Sequence, residues 1–230
     1  MRPLRAAPLQ GAAAAHATLT RGATFLAALA DRPMLAGHWP DGAAARPRAR
    51  FVANCLRELD RFLHTLLDEL GSSAGQRVDR EQRNTANKLR DYGGPALTAG
   101  ADRLRLLALG RSSACLIHCN GLVRRPDVAG GDGMTAGWRG TAGETLRRYP
   151  LGDRLAPGPA ELRDVCRFYE RLGNGLMRGA RDDAILLPRP LQPYLPQRDH
   201  EAVVKPVRLA GPARISAGVL EETLRPGDRI

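Results

Sequence analysis

An arginine and a histidine seven positions apart, Arg111 and His118, are the residues whose types and spacing best suit chemistry. Seven residues make about two turns of an α-helix, so on a helix both side chains would point to nearly the same side. A permanent cation beside a group that titrates near neutral pH suits phosphodiester cleavage, because the histidine can move a proton while the arginine stabilises charge developing on phosphorus. The same spacing also fits an ordinary, partly buried histidine and an unrelated surface arginine.

Two local structures compete for residues 111–125. The pair Asn120-Gly121 between apolar runs is typical of a two-residue β-hairpin turn, with the flanking runs as its strands. Alternatively, Ser112 caps a helix that Asn120 or Gly121 ends in the left-handed conformation. The helical neighbours favour the helix, since a lone hairpin is only marginally stable without a larger sheet.

The composition raises the expectation of an anionic partner. The chain has 35 Lys and Arg against 24 Asp and Glu, a net charge of +11, and most of the cations are arginine. The planar guanidinium suits phosphate, which favours RNA or DNA as a partner, although arginine can also be the default surface cation of such a chain. The basic residues are dispersed along the chain and do not form a run of five or more. Aromatic residues make up only 4%, which argues against binding single strands by base stacking.

The four cysteines do not have the spacing of a disulfide framework, so we expect a reducing, cytoplasmic compartment. Cys115, His118 and Cys119 could project from one helical turn, but zinc normally takes four ligands. Cys55 and Cys166 fall on apolar helix faces, where buried free thiols are common. We therefore expect no metal site and no cofactor. No apolar run is long enough for a signal-peptide core or a membrane span.

Apolar periodicity predicts an all-α fold, a bundle of four to five helices with a glycine-rich insertion and irregular termini. The longest helix is predicted over 48–70, with Gly71 after its end and His64 packed rather than functional. Shorter helices are predicted over about 18–30, 79–92, 95–109 and 159–177, and Gly110 should end the third of these.

The remaining segments complete a three-part organisation. Residues 1–45 are predicted to form an N-terminal lead, disordered up to residue 17, with one short helix. Residues 46–180 form the helical domain, in which the glycines of 126–158 indicate a long irregular insertion. Residues 181–230 contain repeated prolines and are predicted to form an extended tail.

The segment from Arg111 to Val123 resembles the signature of the HEPN superfamily. Members carry an arginine about four to six residues before a histidine near the start of a late helix. Many show a Cys-aliphatic-aliphatic-His run followed by Asn-Gly, or by Gly alone, and a valine. Here that run is Cys115–His118, and it is followed by Asn120-Gly121-Leu122-Val123. The long helix ahead of the motif is also similar to the HEPN arrangement, so residues 46–178 match loosely.

The resemblance implies a helical bundle, often a dimer with its motifs facing each other, and metal-independent ribonuclease activity of a toxin–antitoxin or phage-defence type. It implies 2′-hydroxyl attack that leaves a cyclic phosphate, with RNA as substrate and an antitoxin or other protein as possible partner. We expect phosphate stabilisation by Arg111, proton transfer by His118, supporting hydrogen bonds from Ser112 and Asn120, and RNA-backbone contacts from Arg124 and Arg125. Some members are inactive, so a non-catalytic helical module that binds nucleic acid or a protein partner is the alternative.

Overall fold

Four long helices form the body of the protein. The computed structural model describes residues 8–36, 39, 45–74, 84–92, 99–140 and 145–186. These residues form α1 (Pro8–Ala30), α2 (Pro33–Ala36), α3 (Ala45–Ser73), α4 (Thr85–Tyr92), α5 (Ala99–His118), β1 (Gly133–Arg139), β2 (Leu146–Pro150) and α6 (Pro159–Leu186). The predicted all-α class is confirmed, with one small hairpin added between α5 and α6.

Helix α3 is the central element. Its leucines and small apolar residues recur at steps of three and four and form one buried stripe. Helices α1, α5 and α6 pack against α3, and α4 covers its C-terminal part beside α5. The predicted helix over 48–70 is confirmed, but it extends further at both ends. Gly71 is buried inside the helix and does not end it.

Helix α1 begins much earlier than predicted. Residues 8–17 belong to the helix, so the prediction of a disordered lead is wrong there, and residues 1–7 lie outside the described residues. Alanine has the best intrinsic helix propensity, and proline is tolerated in the first turn. Tertiary packing supplies the remaining stabilisation of α1, because the helix packs against α3 and α6 and buries a stripe made of Ala12, Leu19, Ala23, Leu26 and Ala30.

Helix α5 runs without interruption through Gly110, so the predicted break at that glycine is wrong. A glycine inside a helix costs about 1 kcal/mol relative to alanine. Gly110 is exposed, whereas its neighbour Leu109 and the following Ser112 and Ser113 are buried. Burial of these neighbours offsets the local cost of the glycine. Ser112 is therefore an internal residue of α5 and not its N-cap.

The Asn-Gly pair ends α5 and does not turn a hairpin. Asn120 has φ 51° and Gly121 has φ 84°, both in the left-handed region. The amide of Gly121 donates to the carbonyl oxygen of Cys115 at 3.1 Å, which is the pattern of a helix C-terminus. A side chain at Gly121 would also meet the carbonyl oxygen of Leu155 at 2.8 Å. Of the two alternatives left open for residues 111–125, the structure has the helix.

Residues 126–158 were predicted as an irregular insertion, and this is wrong for their central part. Strands β1 and β2 pair antiparallel, with Met134 opposite Tyr149 and an irregularity between Thr135 and Arg139. Trp138 is fully buried and donates from its indole nitrogen to the Tyr149 hydroxyl at 3.1 Å. Strand β1 packs against α5 and α6, so the hairpin is part of the core.

Helix α6 continues to Leu186, past both the predicted end near residue 177 and the predicted start of the tail at 181. Residues 79–83, 95–98 and 187–230, for which helix ends and most of the proline-rich tail were predicted, lie outside the described residues. Within the described ranges, no helix combines the length and the apolar character needed to cross a bilayer.

Candidate functional site

A cleft of about 350 Å³ lies where α3, α5 and α6 meet. Its polar lining consists of Arg57 and Asp60 of α3, Ser113 and His118 of α5, and Tyr169 of α6. His118 is the last residue of α5, and its side chain is exposed. An imidazole open to solvent at the edge of a cleft can exchange protons with a bound molecule.

Arg111 lies on the same side of α5 as His118, about 10 Å earlier along the helix axis. It is not among the residues that line the cleft. Its Nε atom lies 3.0 Å from Oδ1 of Asp127, while 40% of the side chain remains exposed. The structure therefore presents both predicted residues on one helix side, with Arg111 held by a carboxylate.

The hairpin fixes the carboxylate that holds Arg111. Asp127 accepts a hydrogen bond from the amide of Thr135 at 2.8 Å through Oδ2, and its own amide donates to the carbonyl oxygen of Gly133 at 3.0 Å. The ion pair uses Nε and does not involve the two terminal nitrogens of Arg111, and neither Nε of Arg111 nor Oδ1 of Asp127 makes a hydrogen bond within the described residues. The terminal nitrogens of a guanidinium are the atoms that make bidentate contacts with phosphate.

The other four predicted site residues are of two kinds. Ser112 and Asn120 make hydrogen bonds within the protein, whereas Arg124 and Arg125 are exposed cations. Ser112 is fully buried, donates to the carbonyl oxygen of Ala108 at 2.9 Å and accepts from the amide of Gly137 at 3.2 Å. The carbonyl of Asn120 accepts from Arg154 at 3.2 Å. The Ser112 hydroxyl thus bonds to the backbone of α5 and β1, and neither Ser112 nor Asn120 lines the cleft. Arg124 and Arg125 are exposed just beyond α5.

A chain of polar side chains leads from the cleft into the protein. Thr85 donates to Oδ2 of Asp60 at 2.8 Å, and its hydroxyl oxygen lies 3.3 Å from Nδ1 of His64. Lys88, whose side chain is only 1% exposed, lies 2.6 Å from Nε2 of His64 and 2.6 Å from Oδ1 of Asp68. A buried ammonium needs such partners to offset its lost hydration.

The directions of these hydrogen bonds are consistent with a neutral His64. The ammonium of Lys88 can only donate, so Nε2 of His64 accepts and Nδ1 carries the proton that is donated to Thr85. Burial, followed by the charge of Lys88, lowers the pKa of His64, although Asp68 and Asp60 act in the opposite direction. The prediction that His64 is simply packed misses this polar chain, which links it to the cleft.

Stability should therefore fall in mild acid because of His64. Its folded-state pKa lies below the ordinary value of 6.5, so its contribution to stability is complete above that value and is lost as the pH drops below it. We expect His64→Gln to reduce the loss of urea stability between about pH 7 and pH 5. Equal pH dependence in the variant and the wild type would contradict a neutral, half-buried His64.

Asp60 is the carboxylate that this chain presents to the cleft. Burial raises its pKa, opposed by the hydrogen bond from Thr85 and by His64. Tyr169 stands nearby in the cleft wall, fully buried, and its hydroxyl has no hydrogen-bond partner among the described residues. Burial and the charge of Asp60 raise the pKa of that hydroxyl. Asp60 and Tyr169 give the cleft a polar floor.

The four cysteines are all free. Cys115 donates to the carbonyl oxygen of Leu122 at 3.3 Å, and burial raises its pKa to about 11, so it is a thiol at neutral pH. Burial likewise raises the pKa of Cys166 to about 12. Within the described part of the chain, no three histidine, cysteine or acidic side chains are grouped to hold a metal ion.

Asp60, Arg57 and Tyr169 were not predicted as site residues. Asp60 did carry a usable signal, because on α3 it falls between Leu56 and Leu63 at helical spacing, inside the apolar stripe. A carboxylate at such a position needs a partner or a function. Arg57 and Tyr169 carried no such signal, since each fits an ordinary helix position.

Comparisons of the chain with protein-family models, with curated proteins and with solved structures found no match.

Proposed function

We propose that this protein cleaves RNA without a metal ion, with His118 transferring a proton and Arg111 stabilising the charge on phosphorus. The observation that carries the proposal is the uninterrupted α5, which presents His118 to solvent beside a cleft while Asp127 holds Arg111 on the same helix side. The resemblance of Arg111–Val123 to the HEPN signature points to the same activity.

The charge distribution supports an RNA substrate. Beyond the net charge of +11, the exposed Arg57 stands at the cleft, and Arg124 and Arg125 are exposed just after the end of α5. An RNA strand crossing the end of α5 would have cations on both sides of His118. Phosphate contacts of this kind position a strand without reading its sequence.

The test is incubation of single-stranded RNA with the full chain in excess EDTA, followed by analysis of the ends. Attack by the 2′-hydroxyl gives a 2′,3′-cyclic phosphate and a 5′-hydroxyl. A substrate with 2′-deoxyribose at the cleavage position should resist. No cleavage, or cleavage of the deoxy substrate, would overturn the proposal, and binding without cleavage would favour a non-catalytic helical module.

Removing the exposed cations after α5 should weaken RNA binding through salt-dependent contacts. In Arg124→Ala/Arg125→Ala, we expect the slope of log K against log salt concentration to become less steep by about 1.4, since each phosphate contact on single strands contributes about 0.7. Fluorescence anisotropy at several salt concentrations measures this slope.

The matched control is Arg46→Ala/Arg50→Ala, which removes two exposed arginines near the start of α3. Both lie at least about 10 Å from Arg57 along that helix. An equal change in slope for the two double variants would show that binding reports net charge alone and not a track beside His118.

A further inference from the structure

We propose that Asp60 is the second proton-transfer residue of the cleft, acting as the general base opposite His118 as the general acid. This inference rests on the proposed ribonuclease function and adds a catalytic residue that the Arg–His motif does not contain. Cleavage through the 2′-hydroxyl needs two proton transfers, one from the nucleophile and one to the leaving group. A single imidazole cannot occupy both sides of the phosphorus at once.

The cleft supplies the second group. Asp60 and His118 come from different helices, α3 and α5, and line the same cleft of about 350 Å³. Among the described residues, the hydrogen bond to Asp60 reaches only its Oδ2 atom, from Thr85 at 2.8 Å. The other oxygen can therefore accept a proton from a bound hydroxyl while Thr85 keeps the carboxylate in place.

The reaction then balances with the groups that the cleft contains. The 2′-oxygen attacks phosphorus and forms the new P–O bond while its proton passes to the carboxylate of Asp60. The bond from phosphorus to the 5′-oxygen breaks, and the imidazolium of His118 gives its proton to that oxygen. After the product leaves, water in the cleft takes the proton from Asp60, and the exposed His118 regains one from solvent.

The polar chain behind Asp60 makes Thr85 a positioning residue. Thr85 donates to Asp60 and lies 3.3 Å from His64, which Lys88 in turn contacts at 2.6 Å. Asp60 is thus held by groups on α4 as well as by its own helix. The charged and titratable groups that face Asp60 or its chain come from four helices: Arg57, His64 and Asp68 on α3, Lys88 on α4, His118 on α5 and Tyr169 on α6.

The experiment compares pH–rate profiles of RNA cleavage for the wild type and Asp60→Asn. The asparagine oxygen can still accept from Thr85, so the fold should be kept, and thermal unfolding checks this. We expect a bell-shaped wild-type profile and a fall in cleavage of about 10²-fold or more for Asp60→Asn, with loss of the acid limb. Glu58→Gln, an amide substitution at an exposed carboxylate of the same helix, should leave the profile unchanged.

Thr85→Val gives an independent reading of the same inference. The hydrogen bond from the Thr85 hydroxyl lowers the pKa of Asp60. Removing that hydroxyl should therefore move the acid limb to higher pH, with only a modest fall in maximal rate. Thr65→Val, an exposed position on α3 whose hydroxyl bonds only its own helix, is the control.

The outcomes separate the two proposals. Wild-type cleavage that Asp60→Asn and Thr85→Val leave unchanged would overturn the role of Asp60 while the ribonuclease function stands. A wild type that does not cleave RNA overturns both. An acid limb that is lost in Asp60→Asn and displaced in Thr85→Val supports both.

Discussion

Replacement of His118 by glutamine should lower RNA cleavage by about 10²- to 10⁴-fold, the usual contribution of a positioned acid–base group. Glutamine keeps a polar side chain of similar reach but cannot exchange a proton near neutral pH. Because His118 is exposed at the end of α5, its substitution should leave stability within about 0.5 kcal/mol of wild type. Initial rates on a labelled RNA, together with thermal unfolding, measure both effects.

The matched control is His16→Gln, which changes a histidine of α1 that bonds Asn174 at 2.9 Å and does not line the cleft. It should cleave RNA at the wild-type rate. Equal rates for His118→Gln and the wild type would remove His118 from the mechanism. An equal loss in both histidine variants would point to a general effect on the fold instead.

Replacement of Gly137 by valine should lower the free energy of unfolding by about 3 kcal/mol, the upper end of typical overpacking costs. Strand propensity alone predicts the opposite sign, since valine favours strands and glycine disfavours them. At Gly137, however, a Cβ atom would lie 2.7 Å from the Cα of Leu109. The carbonyl of Gly137 also accepts from Arg105 at 3.0 Å, so the strand cannot move away from α5 without breaking this bond.

Urea unfolding measures this change, and a loss of that size corresponds to a fall in Tm of roughly 6–12 °C for a domain of this size. The control is Gly140→Val, because a Cβ atom there meets nothing within 4 Å. An unchanged or higher stability of Gly137→Val would contradict the close packing of β1 on α5.

Gly137 also shows why the hairpin escaped prediction. A strand is predicted from alternating apolar residues, but β1 is buried at five of its seven positions and contains two glycines. Its pairing with β2 is irregular between Thr135 and Arg139, and Gly137 bonds side chains of α5 there. Glycines indicated an irregular loop there, but Gly137 is required because strand β1 approaches α5 too closely for a side chain.

The long helices could be predicted from the sequence for the opposite reason. In α3 and α6 the apolar residues follow the helical period, and the spacing alone identifies the buried face. The ends of the helices were harder to predict. Gly110 has a helix-breaking type but lies inside α5, and residues 8–17 are rich in alanine yet bury a face against α3 and α6.

The candidate site divides in the same way. Arg111 and His118 could be paired from the sequence because, on a helix, a separation of seven residues places two side chains on the same face. Asp127, which holds Arg111, belongs to the loop that leads into the hairpin, and Asp60 belongs to another helix. No local pattern connects these residues.

The amino-acid sequence by itself thus determined the helical class and the buried faces of the longest helices, because these depend on periods of three to four residues. It left residues 111–125 open between a helix and a hairpin, and the structure places Arg111 and His118 on one uninterrupted helix. Only the tertiary structure decided that Asp60 shares a cleft with His118 and that Thr85, His64 and Lys88 stand behind it. Those contacts join separate elements, and their geometry follows from how whole helices pack.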